Sequence, residues 1–165
     1  MASDKTLKQL LLDALEQEIL QSIERLTRGY DNVRDASIKA QGRMESRYDT
    51  IKEEQGKLAD SIGLQVLAQQ TVLNRLRYFK SQVGSDKHVF VAAGSLVKVA
   101  ASYGHDYFFV VEGGGGISVE VQGEEITCIS PETSVASALL GHCLNDTVEF
   151  KRDQSTMQLK IIGLQ

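Results

Sequence analysis

The chain of 165 residues contains no tryptophan, one proline (Pro131), two cysteines and three histidines. Each scarcity excludes something. Cys128 and Cys143 have no C-x-x-C spacing and no histidine cluster beside them, so they make a poor metal site. Two buried free thiols in a reducing compartment is the simplest reading of the pair. His88, His105 and His142 fall in different predicted loops, with no carboxylate or cysteine at ligand spacing, and read as scattered surface side chains. No apolar run approaches the ~18 residues of a membrane span. The first twenty residues carry acids within an amphipathic pattern, without the basic start and apolar stretch of a signal peptide. The expected location is therefore cytoplasmic, with no membrane contact. There is no Gly-x-Ser-x-Gly elbow to seat a nucleophile. A net charge of -4 excludes a strongly basic nucleic-acid binder.

What is present divides in two. Residues 1–80 carry 13 basic and 12 acidic side chains, whereas residues 81–165 carry 5 basic and 10 acidic. The first half has only four glycines, Gly29, Gly42, Gly56 and Gly63. Its apolar positions recur three and four apart: Leu12, Leu15, Ile19, Ile23, Leu26, Tyr30 and Val33, with Ala36 and Ala40. A second stripe follows at Ile51, Leu58, Ile62, Val66, Leu73 and Leu76. Such spacing puts each stripe on one helix face, and two such faces bury each other. Between them the periodicity lapses, Gly42 can end a helix, and Ser46 with Asp49 reads as a capping box. The pattern predicts an antiparallel coiled-coil helical hairpin over residues 1–80 with its tip near 41–47. Arms of ~35 residues reach roughly 50 Å, too far for an ~85-residue partner unit to cover, so most of the hairpin is expected to protrude.

Past a polar hinge at 81–86 the period becomes two. Short β-type runs are predicted at 89–92, 96–100, 107–111, 117–121, 125–129, 147–151 and 157–162, separated by turn residues. One helix interrupts them at 134–140, led by Pro131 and the capping candidates Thr133 and Ser134 and stopped by Gly141. The fold class expected is α+β: a helical hairpin, then a small β-rich unit over residues 81–165.

The four consecutive glycines at 113–116 invite a phosphate-loop reading. Such a loop needs a strand-to-helix junction and a following Lys-Ser/Thr or helix N-terminus. Here the run lies between two predicted strands, and the sequence reads it as a flexible turn. The hairpin tip holds more chemistry. Arg43, Glu45, Arg47, Asp49, Lys52, Glu53 and Glu54 fall within twelve residues. Glu45, Asp49 and Glu53 are spaced four apart, so on a helix they line one side. Carboxylates so placed suit a divalent cation through oxygen ligands, but they are too few for a closed site and need a partner's ligands.

Two segments carry a resemblance. Thr133-Ser134-Val135-Ala136-Ser137-Ala138-Leu139-Leu140-Gly141-His142, with Asn145-Asp146-Thr147-Val148-Glu149-Phe150-Lys151 behind it, resembles the C-terminal signature of bacterial Gre-type transcript cleavage factors. Tyr48-Asp49-Thr50-Ile51-Lys52-Glu53-Glu54-Gln55-Gly56 is similar to the stretch past that family's hairpin tip. About 30 residues are specific. The resemblance implies an FKBP-like fold for the second unit and RNA polymerase as partner. It implies that the hairpin enters the polymerase secondary channel, where two tip acids help hold a Mg²⁺ ion that cleaves backtracked RNA. The factor would have no cofactor of its own and would not itself be an enzyme. It would meet nucleic acid, DNA included, only within the elongation complex, and act as a monomer. Aligned back from Tyr48 without a gap, the family's two acids fall on Gln41 and Met44, which are not cation ligands. Glu45, one residue later, and Asp49 are the candidates that remain for the catalytic and metal-sharing roles. A different class follows from the FKBP-like strand order alone, a peptidyl-prolyl isomerase. The lack of tryptophan counts against it, because such pockets commonly have one at the base.

Overall fold

The computed structural model describes residues 6–39, 45–83, 88–152 and 155–165, excluding the side chains of 37–39, 45–52, 152 and 155. Two long helices come first, α1 (Leu7–Lys39) and α2 (Glu45–Gln82). They run antiparallel. Glu16 of α1 meets Arg77 and Lys80 of α2, and Asp13 meets Lys80. α2 begins at Glu45, so positions 45–47 stand in its first turn rather than in the connection. Ser46, read as the cap, is the second residue of the helix, two places past the cap position and within the usual latitude of helix boundaries. Gly42 lies outside the described residues.

Six strands and one short helix follow: β1 (Leu96–Ala101), β2 (Gly104–Val110), β3 (Ser118–Val121), β4 (Glu124–Ile129), α3 (Ser134–Leu139), β5 (Thr147–Arg152) and β6 (Ser155–Leu164). They form one mixed sheet in the order β3-β4-β2-β1-β6-β5. Every neighbouring pair is antiparallel except β2 and β4, which run parallel with Tyr107 opposite Ile126 and Val110 opposite Ile129. The expected fold class, a helical hairpin followed by a small β-rich unit, is the one found.

Strand alternation sorts the core into two layers. Leu96, Phe109, Val111, Val121, Ile126 and Cys128 pack with Leu11, Leu12, Leu15 and Ile19 of α1 and Val72, Leu73 and Leu76 of α2. On the other face Val97, Val99, Val110, Val148, Phe150, Leu159 and Ile161 pack with Ala136 and Leu139 of α3. The sheet is thus sandwiched between the hairpin's base and α3, and one core layer spans the 80/81 position. Beyond that base the hairpin is different. From 20 to 36 and from 53 to 71 no described side chain is buried.

Two expectations need correction. Residues 89–92 form no strand of the sheet. Phe90 makes a single bridge to Cys143, and Val91 bonds instead to the segment after α3, donating to the His142 carbonyl (2.8 Å) and accepting from the Gly141 amide (2.9 Å). The glycine run at 113–116 is a turn between two strands, as expected, although those strands are not neighbours in the sheet. It carries the chain from β2 past β4 to the outer strand β3. Of the two thiols only Cys128 is buried; Cys143, in the loop before β5, is exposed.

Candidate functional site

At the far end of the hairpin, Glu45 is the first residue of α2 and Asp49 lies one turn further along it. Their side chains are outside those described, as are Gln41 and Met44. The helix register keeps positions 45, 49 and 53 along one side.

The near end is defined in detail. Arg77 Nε donates to Glu16 Oε1 (2.9 Å), and Lys80 Nζ reaches Glu16 Oε2 (2.9 Å) and Asp13 Oδ1 (2.5 Å). These contacts, Lys80 foremost and then Arg77, hold the Glu16 carboxyl below its ordinary range. Asp13 and then Glu16 push the Lys80 ammonium above its own. One ion pair, Arg75 with Glu112, ties α2 to the residues just after β2. Along the shaft a shallow groove of about 700 Å³ opens beside Tyr30, Ile62, Leu64 and Leu67, where Leu64 is 68% and Leu67 60% exposed. Leu64 and Leu67 lie outside the predicted apolar stripe; within it Leu58 is exposed, Ile62 and Val66 are half-buried, and Leu73 and Leu76, near the sheet, are buried.

The segment carrying the C-terminal signature has a local physical account. Thr133 caps α3, its hydroxyl accepting from the Ala136 amide (3.2 Å), while Ala136 and Leu139 enter the core. Gly141, at φ +80, turns the chain out of the helix. Asn145, at φ +74, and Asp146 then lead into β5. The Asp146 carboxylate accepts from the Cys143 amide (2.8 Å), and its carbonyl accepts from the Ile161 amide (2.9 Å). The Cys143 amide first, and then His142, lower the Asp146 pKa.

Beneath α3 the sheet leaves a half-open cleft of about 540 Å³ with Tyr103, Phe108, Val135, Phe150, Asp106 and Glu125 among its walls. The Tyr103 hydroxyl donates to Asp106 (2.5 Å). Two histidines have carboxylate neighbours: His105, which lies in β2 rather than a loop, meets Glu124 (3.2 Å), and His142 meets Asp146 (3.3 Å). The first pair spans two strands and was invisible along the chain; the i,i+4 spacing of the second was legible. Among the described residues no three or more His, Cys, Asp or Glu side chains converge as a metal site.

No family model matches this sequence, and no curated protein matches it. Among solved structures, one described as the transcription factor Gfh1 is similar at 15% identity and a TM-score of 0.39, covering 92% of this chain and 93% of that one. The GreA factor homolog 1 (Gfh1) protein of Thermus thermophilus is similar at 16% identity and 0.36, covering 92% and 95%. The prokaryotic transcription elongation factor GreA/GreB from Nitrosomonas europaea is similar at 18% identity and 0.35, covering 61% and 88%.

Proposed function

We propose that this chain is a transcription factor that binds RNA polymerase and inserts its helical hairpin into the secondary channel to modulate elongation or transcript cleavage. The observation that carries the reading is the hairpin itself. Among the described residues its buried side chains are confined to the base, and the candidate acids Glu45 and Asp49 stand at the opposite end. The signature at 133–151 and the stretch at 48–56 add support from sequence. The chain acts as an accessory factor, with no cofactor of its own. A Mg²⁺ ion would be held jointly with the polymerase, where such an ion orients water and neutralises developing charge. The protein works as a cytoplasmic monomer and meets nucleic acid through the elongation complex.

Core RNA polymerase should co-purify with the chain, and stalled complexes should respond to it by altered cleavage, pausing or elongation. Glu45→Ala and Asp49→Ala should remove that response while leaving co-purification intact. No binding and no change in any of the three activities would end this reading.

The aromatic walls of the cleft under α3 favour one second reading, a peptidyl-prolyl isomerase. Catalysed isomerisation of a proline-containing tetrapeptide, lost in Phe108→Ala, would establish it; a rate equal to the uncatalysed one would dismiss it.

A further inference from the structure

Two glycine turns lie under one face of α2. Val72, Arg75 and Phe79 are three and four residues apart and so share that face. Gly94, at φ +85, lies beneath Phe79, where a Cβ would come within 2.8 Å of ring atoms Cδ1 and Cε1. Gly113, at φ +77, and Gly114 lie beneath Val72, where added Cβ atoms would come 3.3 and 3.4 Å from its methyl groups. A Cβ on Gly114 would also meet Val111 at 2.7 Å. Between the two turns Arg75 pairs with Glu112. On its inner side the Phe79 ring stands edge-on to buried Phe109 at 6.1 Å. Positive φ alone does not bring such closeness: Gly116 and Gly123, at φ +89 and +81, have nothing within 4 Å of an added Cβ.

We propose that Gly94, Gly113 and Gly114 form, with Val72, Arg75 and Phe79, the seat that sets the direction of the hairpin relative to the sheet. They are positioning residues for the far end. The two contact points are about 10 Å apart along α2, and Glu45 lies about 40 Å beyond Val72 at 1.5 Å per residue. Lifting Phe79 by about 1 Å therefore swings the far end by about 4 Å. A close-packed contact transmits such a displacement rather than absorbing it. The functional meaning rests on the polymerase reading, but the direction is a property of the free chain.

The test uses the full chain without polymerase, so that absence of polymerase binding leaves its outcome untouched. Nitroxide labels at Glu54→Cys and Glu149→Cys, in a Cys143→Ser background, report the distance from hairpin to sheet by double electron–electron resonance. Gly94→Ala should shift the mean distance by about 2.5 Å, because position 54 lies about 27 Å beyond Val72 on the same lever. Gly113→Ala should shift or broaden the distribution. Gly116→Ala imposes the same backbone strain in open space and should leave the distance unchanged. Adding Phe79→Leu to Gly94→Ala should return it towards the parent value. An unchanged distance in folded Gly94→Ala and Gly113→Ala, or an equal shift in Gly116→Ala, overturns the proposal. If Gly94→Ala does not fold, the Phe79→Leu double variant decides: it must fold and keep the parent distance, and any other result also overturns it.

Discussion

The base and the shaft of the hairpin are built from the same two helices, yet only one of them has a core. At the base, Leu11, Leu12, Leu15 and Leu76 are 0–1% exposed against the sheet. Along the shaft, Leu58 of the apolar stripe is 48% exposed and Ile62 and Val66 are only half-buried, while Leu64 and Leu67, outside the stripe, are 68% and 60% exposed. Periodic apolar residues close a helix pair only as far as a third element covers them. Past that point the pair relies on the partial burial that two helices give each other.

The most forceful way to break this contrast is truncation. Leu12→Ala or Leu76→Ala should cost about 2–5 kcal/mol, as expected of a buried leucine, while Leu64→Ala and Leu67→Ala should stay within about 0.5 kcal/mol. Denaturant unfolding measures both, and equal losses would abolish the distinction.

A smaller effect concerns the ion cluster at the base. Because Lys80 and Arg77 lower the Glu16 pKa, its contribution is full above the ordinary carboxylate pKa and disappears as pH falls through the folded value. Glu16→Gln should therefore lose stability at pH 7 and match the parent in acid. The loss should be on the order of 0.5–1 kcal/mol, reduced by solvent because Arg77 and Lys80 are 54% and 44% exposed. Thermal unfolding at pH 7 and pH 3 reads the sign; a difference that grows on acidification would contradict it.

The last test leaves stability alone. Cys143 is exposed, whereas burial pushes the Cys128 thiol up to about 12. A disulfide reagent at neutral pH should titrate one thiol quickly and the second only on unfolding. Two fast thiols would mean that the layer between hairpin base and sheet opens readily.

Much of this was legible in the residues. Period three-to-four gave the helices, period two gave six strands to within a few positions, and Thr133 and Gly141 bounded α3 as their chemistry demands. What stayed hidden was tertiary. Leu11 and Val72 fall outside the two apolar stripes, yet both are buried in the layer shared by the hairpin base and the sheet. The run at 89–92 has strand-forming residues, but the end of α3 captures its hydrogen bonds. Nothing in four consecutive glycines announces that the strands on either side are separated by a third. The candidate site was read from charge density at positions 45 and 49 and from family resemblance. The cleft under α3 came into view only when Phe108, Val135 and Phe150 were brought together from three elements.

The layer of side chains shared by Leu11–Ile19, Val72–Leu76 and the sheet also decides how the molecule comes apart. Residues 11–19, 72–76 and the central strands form one cooperative unit, although they lie on both sides of position 80. Their amides should exchange with solvent only through global opening, while those of the distal turns fray locally and independently. Motion at the far end is therefore compatible with a rigid root.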